Sequence, residues 1–217
     1  MSNKNNIKKA LFILNTYSGS DYCLGQPILN DGNLMKKYLI PYGYEFIELI
    51  DKGMTEVLKA IEDLLKTSTE AIIYYSGHGA QVSYNKDEDD RRNEAFCFLH
   101  KMFFLEDDTL SKCINENNHT QKLILFNDCC HSGTIWDLDK VNIKDNQIIY
   151  NISACEDNQV AAQLSQNGAL TSIFWHNFKN NKINFNKLTK ALNHFGQVPV
   201  ISINNKRIIE DEIEIKF

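Results

Sequence analysis

Residues 122–134 are KLILFNDCCHSGT, an apolar run followed at once by polar residues, two cysteines and a glycine. A second stretch, EAIIYYSGHGAQ at residues 70–81, has the same form and places a histidine between two glycines. Nearly continuous apolar runs predict strands covered on both faces, as in a mainly parallel sheet. The carboxyl ends of such strands meet at one edge, where ligands and reacting groups gather. The sequence therefore predicts that the two polar segments face one site.

Four further apolar segments predict strands of the same sheet, over residues 8–15, 44–51, 147–155 and 198–204. Segments with a helical apolar period lie between them. They predict helices over residues 31–40, 55–66, 106–116, 168–178 and 184–195, with Thr55 as the N-cap of the second. Residues 94–105 predict a hairpin that follows a charged loop over 85–93. This alternation predicts an α/β fold with a six-stranded, mostly parallel sheet flanked by helices.

Composition limits the class of protein. The chain has 217 residues, 43% of them hydrophobic and 24% charged, which suits one soluble domain over residues 1–217. A net charge of −5 argues against a nucleic-acid partner. No apolar run is long enough to cross a membrane, and the first ten residues lack a signal-peptide pattern, so we expect a cytoplasmic protein. Six cysteines without a CxxC pair predict free thiols rather than a zinc site.

A cysteine and a histidine at one site predict nucleophilic catalysis. The thiolate is the nucleophile, and an adjacent imidazole can take the thiol proton. The backbone N–H groups of Gly79 and Cys130 are candidate donors to the oxyanion. Taken alone, His78 could be an ordinary loop residue of a flavodoxin-like domain, and Cys130 a buried core thiol. The presence of both motifs favours the catalytic interpretation.

With these motifs the sequence closely resembles the metacaspases, relatives of the caspases. The resemblance is carried by SGHG at residues 76–79 and by D-x-C-H-S-G at residues 128–133, and His78 lies 52 residues before Cys130. Caspases have a similar spacing of about 50 residues. Three other segments are similar to family segments in the same order: TYSGSDYCLGQPILND (16–31), NISACEDNQVA (151–161) and GALTSIF (168–174).

The resemblance implies a caspase-like three-layer sandwich and a cysteine endopeptidase, in a family associated with programmed cell death. It makes Cys130 the nucleophile rather than Cys129, because the family's nucleophile directly precedes His-Ser-Gly. It makes His78 the base. His131 is adjacent to the nucleophile, but neighbouring side chains at a strand end diverge.

The resemblance also implies a pocket formed by Asp31, Ser76 and Asp128, which selects Arg or Lys before the cleaved bond. Two carboxylates favour a cation there, because a buried charge needs a partner. Pro27-Ile28 stands where the family has a Gly-Cys pair, so the pocket wall differs. The alternatives are a caspase-like peptidase of different specificity and a catalytically weak regulatory scaffold.

Calcium is the cofactor that the resemblance implies, with Asn93, Glu106, Asp107 and Asp137 at the matching positions. Oxygen ligands of this kind suit Ca²⁺. The acidic run Asp87–Asp90 is interpreted as a solvated loop. The chain is expected to be a monomer with a large-subunit-like part over about 1–140 and a small-subunit-like part over about 145–217. If self-cleavage occurs, it is expected in the polar segment between these parts, which offers Lys140 and Lys144, and the short connection argues against a requirement for processing.

Overall fold

The computed structural model describes residues 6–84, 92–98 and 103–217. Its strands are β1 (Lys8–Leu14), β2 (Glu45–Ile50), β3 (Glu70–Ser76), β4 (Gly79–Tyr84), β5 (Arg92–Phe98), β6 (Phe103–Glu106), β7 (Lys122–Asp128), β8 (Ile148–Ser153), β9 (Lys182–Asn184), β10 (Val200–Ile203), β11 (Lys206–Arg207) and β12 (Glu212–Glu214). Its α-helices are α1 (Gln26–Leu39), α2 (Met54–Thr67), α3 (Asp107–Asn117), α4 (Ala169–Asn177) and α5 (Phe185–Asn193).

The main sheet has seven strands within the described residues, in the order β11-β10-β8-β7-β3-β1-β2. Strands β2, β1, β3, β7 and β8 are parallel, whereas β10 and β11 are antiparallel to their neighbours. All six predicted strands are present. The added strand β11 has two residues and follows a tight turn, in which Asn204 and Asn205 both adopt left-handed backbone conformations. A strand this short leaves no apolar pattern in the sequence.

Helices cover both faces of the sheet, which confirms the three-layer sandwich. Alternate residues of β3 point to opposite faces, so Ile72 and Tyr74 pack with α1, α4 and α5. Ile73 and Tyr75 pack on the other face with α2 and α3. The strands are apolar on both faces because each face lies beneath a helical layer.

One predicted helix start and one predicted N-cap are wrong. Helix α1 begins at Gln26 rather than at residue 31, with Pro27 in its first turn, where a missing N–H costs no helical hydrogen bond. Helix α2 begins at Met54, and its N-cap is Gly53 in an extended conformation without a side-chain cap. Thr55 therefore lies inside the helix and is not its N-cap.

A three-stranded antiparallel sheet, β4-β5-β6, stands beside the main sheet. The predicted hairpin corresponds to β5 and β6, but β4 was not predicted and begins immediately after His78. The C-terminal strand β12 pairs with β9 in a small separate sheet. Most of the charged loop, including Asp87–Asp90, lies outside the described residues. Across the described part of the chain, every helix is too short or too polar to cross a bilayer.

Candidate active site

The strand register brings the two sequence motifs to the same level. Strands β3 and β7 are parallel neighbours, with Ser76 opposite Asp128 at their carboxyl ends. His78 and Cys130 each lie two residues beyond these ends. The backbone of Gly79 packs on Cys130 so closely that a Cβ at position 79 would lie 2.0 Å from the Cys130 carbonyl oxygen. Glycine is therefore needed at position 79 for the two segments to meet.

The backbone of His78 is held from both sides by tyrosine hydroxyls. Its N–H donates to the Tyr17 hydroxyl at 2.9 Å, and its carbonyl accepts from the Tyr75 hydroxyl at 2.7 Å. A Cβ at position 77 would lie 2.9 Å from each of these hydroxyl oxygens. The first glycine of the SGHG motif thus makes room for the two tyrosines.

The imidazole of His78 has a defined hydrogen-bond partner. Its Nε2 lies 2.9 Å from the main-chain oxygen of Tyr22. A carbonyl oxygen only accepts, so Nε2 must carry the proton in this contact. In the neutral ring Nδ1 then has the lone pair, which is the state that a general base requires.

Of the two adjacent cysteines, only Cys130 is accessible. Cys129 is 1% exposed, whereas Cys130 is half-buried. Burial raises the pKa of the Cys130 thiol, and a hydrogen bond from the Ala161 N–H to Sγ at 3.3 Å partly opposes this shift. The thiol is therefore protonated near neutral pH and needs a base to become a nucleophile.

The loop after Cys130 is fixed to the loop after β8. His131 has a left-handed backbone, its N–H donates to Gln159 O at 3.1 Å, and its Nδ1 contacts the main-chain oxygen of Asp157. The Asp157 carboxylate accepts from the Thr134 N–H at 2.8 Å and from the Thr134 hydroxyl at 3.0 Å. The imidazole of His131 is thus engaged with residue 157, which the sequence analysis did not assign to the site.

The three predicted pocket residues lie together at the carboxyl ends of the strands. Asp31 is fully buried and Asp128 is 6% exposed. The Ser76 hydroxyl donates to Asp31 at 3.2 Å, and the Gly168 N–H donates to both Asp31 oxygens at 2.9 Å. A Cβ at position 168 would lie 2.2 Å from an Asp128 oxygen and 3.0 Å from an Asp31 oxygen. The two carboxylates therefore converge on Gly168, just before α4.

The two carboxyls of the predicted pocket both have raised pKa values. Burial and then the charge of Asp128 raise the pKa of Asp31 to about 7, and burial raises the pKa of Asp128 to about 6. The Thr171 N–H and hydroxyl oppose the second shift, since they donate to Asp128 at 2.9 and 2.7 Å. Thr171 lies in the GALTSIF segment, but its contact with Asp128 left no signal in the sequence. Within the described residues, no Lys, Arg or His forms an ion pair with either carboxylate.

Comparison with known proteins identifies the family of this chain. The family model described as the caspase domain matches residues 7–206.

The chain belongs to the caspase family.

This caspase-family chain is similar to two curated metacaspases, which confirms the predicted metacaspase-like character. It is 30% identical over 160 residues to Metacaspase-1 of Candida albicans, covering 63% of this chain and 36% of that protein. It is 29% identical over 127 residues to Metacaspase-1 of Arabidopsis thaliana, covering 46% and 34%. The chain thus spans about a third of the length of these relatives. A crystal structure of a Geobacter sulfurreducens protein shares the fold, with a TM-score of 0.65, 22% identity, and coverage of 90% and 93% of the two chains.

An acidic cluster of the caspase-family chain lies at the start of α3. Asp107, Asp108 and Asp137 each offer a carboxylate oxygen, and these oxygens lie within 4.8 Å of one another. Burial raises the pKa of Asp107 to about 7, and the nearby charges of Asp137 and Asp108 act in the same direction. The Lys140 ammonium lies 2.9 Å from an oxygen of Asp108 and 2.9 Å from one of Asp137.

The predicted calcium ligands are distributed around this cluster. Asp107 and Asp137 belong to the acidic cluster, together with Asp108, which was not predicted as a ligand. Glu106 instead accepts from the Asn93 side-chain N–H at 2.9 Å. The buried Oδ1 of Asn93 has no hydrogen-bond partner within the described part of the chain. A set of carboxylates and one amide oxygen is chemically suited to Ca²⁺.

Proposed function

We propose that this chain is a cysteine endopeptidase that hydrolyses the peptide bond after Arg or Lys, with Cys130 and His78 as the catalytic dyad. The observation that carries the specificity is the buried pair Asp31 and Asp128, which has no cationic partner in the described chain. A buried pair of like charges is costly unless a cation joins it. A substrate guanidinium or ammonium supplies that cation.

The dyad chemistry follows from the protonation states at the site. His78 takes the thiol proton on Nδ1 while Cys130 Sγ bonds to the substrate carbonyl carbon. The tetrahedral intermediate then collapses, the C–N bond breaks, and the leaving amine takes the proton from His78. In the second half, His78 removes a proton from water and the water oxygen bonds to the thioester carbon. The acid then leaves as the C–S bond breaks, and Cys130 Sγ takes the proton back from His78. The N–H groups of Gly79 and Cys130 are proposed to stabilise the oxyanion in both halves.

The negative charge of the proposed pocket favours basic over acidic substrate side chains. Two unit charges about 4 Å apart interact by about 4 kcal/mol at an effective dielectric constant of about 20. A basic side chain gains this attraction in the pocket, whereas an aspartate adds a third negative charge and is repelled. An interaction energy of about 4 kcal/mol corresponds to about a 1000-fold difference in kcat/KM. We therefore expect cleavage after Asp to be slower by at least this factor.

Calcium binding is the second part of the proposal. Asp107, Asp108 and Asp137 would hold the ion together with Asn93 Oδ1, and the bound ion would supply positive charge to a cluster of carboxylates that repel one another. The Lys140 ammonium lies between two of these carboxylates and would have to move. We therefore expect weak binding, with a Kd of about 10⁻⁴–10⁻³ M.

The test compares fluorogenic peptides that differ only in Arg, Lys or Asp before the cleaved bond. Asp128→Asn keeps the shape of the pocket residue and removes its charge, so kcat/KM for the Arg peptide should fall by about 100-fold or more. Asp139→Asn is the matched control, because Asp139 is exposed and lies outside the pocket. Strong cleavage after Asp would indicate a caspase-like peptidase of different specificity. No cleavage of any peptide, together with no labelling of Cys130 by an Arg-fluoromethylketone, would indicate a scaffold.

A further inference from the structure

The loop between β1 and α1 contributes a side chain that touches the catalytic histidine. We propose that Tyr17 is a positioning residue for His78 and that Asp51 holds Tyr17 in place. This inference rests on the proposed dyad. It deepens that proposal by assigning a role to a loop that contains neither catalytic residue.

Besides a contact with the Tyr75 hydroxyl at 3.2 Å, the Tyr17 hydroxyl donates one hydrogen bond and accepts another. It donates to the main-chain oxygen of Cys97 at 2.8 Å and accepts the N–H of His78 at 2.9 Å. His78 lies in the two-residue link between β3 and β4. The position of its backbone therefore determines where the imidazole side chain can lie. Removing the hydroxyl would leave the His78 N–H without this acceptor.

The aromatic ring of Tyr17 also packs on the imidazole. The two ring centroids lie 4.7 Å apart at an interplanar angle of 46°. The same loop provides Tyr22 O, which accepts from the imidazole Nε2. The loop therefore limits both the position of the His78 backbone and the rotation of its side chain.

The backbone of Tyr17 is strained, and Asp51 stabilises it. Tyr17 has a φ of 54°. Among the left-handed non-glycine residues in the described ranges, all except Tyr17 and His131 are Asp or Asn, which adopt this conformation more readily. One Asp51 oxygen accepts from the N–H groups of Thr16 and Tyr17 at 2.7 and 2.9 Å. Strained residues persist where the surroundings enforce them, and they cluster at functional sites.

Two other roles for Tyr17 are excluded by its environment. The side chain is 4% exposed, so it offers little surface to a substrate. Burial raises the pKa of its hydroxyl well above the ordinary value, so the hydroxyl stays protonated and does not act as an acid or a base at neutral pH. Positioning of His78 is the role that its contacts support.

The test is Tyr17→Phe, which removes the hydroxyl and keeps the ring. A displacement of about 1 Å can cost about 100-fold in rate. We expect kcat to fall by about 10- to 100-fold, with KM within about twofold, because the pocket carboxylates are untouched. Tyr44→Phe is the matched control, since Tyr44 is also buried and its hydroxyl has no hydrogen-bond partner in the described chain. Asp51→Ala should reproduce the loss, and Asp51→Asn should restore part of it because its Oδ1 can still accept.

A second readout does not depend on substrate specificity. Alkylation of Cys130 by iodoacetamide can be followed over a range of pH by peptide mass spectrometry. Its pH dependence should shift in Tyr17→Phe and not in Tyr44→Phe. Circular dichroism should show that both variants are equally folded. Equal kcat and equal alkylation profiles in the two variants would overturn the inference while leaving the dyad intact. Unchanged peptidase activity in His78→Ala would overturn the dyad itself, and this inference with it.

Discussion

Replacing Thr171 by valine should move the pH dependence of the peptidase without altering the dyad. Thr171 is fully buried. Its hydroxyl donates to Asp128 at 2.7 Å and contacts the Tyr74 hydroxyl at 2.8 Å. Valine has nearly the same shape and lacks the donor, while the main-chain N–H remains in place to donate to Asp128 at 2.9 Å.

The size of the effect follows from this hydrogen bond. A hydrogen bond to a charged group contributes about 1.5–3 kcal/mol. Since one pKa unit corresponds to about 1.36 kcal/mol, the loss should raise the pKa of Asp128 by about 1–2 units. Its pKa starts at about 6. The carboxyl would then pass from mostly ionised near pH 7 to half or mostly protonated, and kcat/KM for an Arg peptide should fall by about two- to tenfold there.

The assay is the pH profile of kcat/KM for an Arg peptide from about pH 5.5 to about pH 9. In the proposed pocket the ionised carboxylates bind the basic side chain, so we expect activity to fall as pH falls through the pKa of Asp128. The variant should lose activity near neutral pH and regain most of it at the alkaline end. Thr171→Ser keeps the hydroxyl and should retain the native profile. Identical acid limbs for the valine and serine variants would show that the Thr171 hydroxyl does not lower the pKa of Asp128.

Three further predictions concern stability, processing and calcium. Asp31, Asp107 and Asp128 have raised pKa values, so the folded protein favours their protonated forms. Their contribution to the free energy of unfolding is therefore fully present below their ordinary pKa of about 4 and is lost as pH rises through about 6 to 7. Urea unfolding should therefore give a higher free energy of unfolding at pH 5 than at pH 8. In Asp31→Asn the difference between these two free energies should be smaller. Self-cleavage should occur after exposed Lys144 rather than after the ion-paired Lys140, and intact-mass analysis of wild type and Lys144→Gln would detect it. Lys140→Met should tighten Ca²⁺ binding in a calorimetric titration, and unchanged affinity would show that this ammonium does not compete with the ion.

The sequence predicted the part of the fold that depends on long apolar segments. Strands β3 and β7 were evident because helices cover both of their faces. Strand β4 was missed because its pairing with β5 is a tertiary contact, and residues 79–84 carry little apolar pattern. The start of α1 was missed because Gln26-Pro27 follows a glycine and resembles a loop, although proline is favoured in the first turn of a helix.

The candidate site could be predicted from the sequence only at residues that belong to the recognised motifs. His78, Cys130 and the pocket acids could be named from the resemblance. The roles proposed for Tyr17 and Thr171 rest on contacts with His78 and Asp128, which are distant in the sequence, and the residues next to them in the sequence do not indicate these contacts. Asp157 lay in a recognised segment, but only the folded chain reveals that its carboxylate holds Thr134. The single domain, the monomeric state and the cytoplasmic location stay predictions.

The site and rate of labelling by an Arg-fluoromethylketone, determined by peptide mass spectrometry, test most directly whether Cys130 and His78 form the catalytic dyad. We expect the label on Cys130. Labelling should be lost in Cys130→Ala, slowed by about 100-fold or more in His78→Ala, and retained in Cys129→Ala. A label on Cys129, or an undiminished rate of labelling in His78→Ala, would contradict the assignment of the dyad.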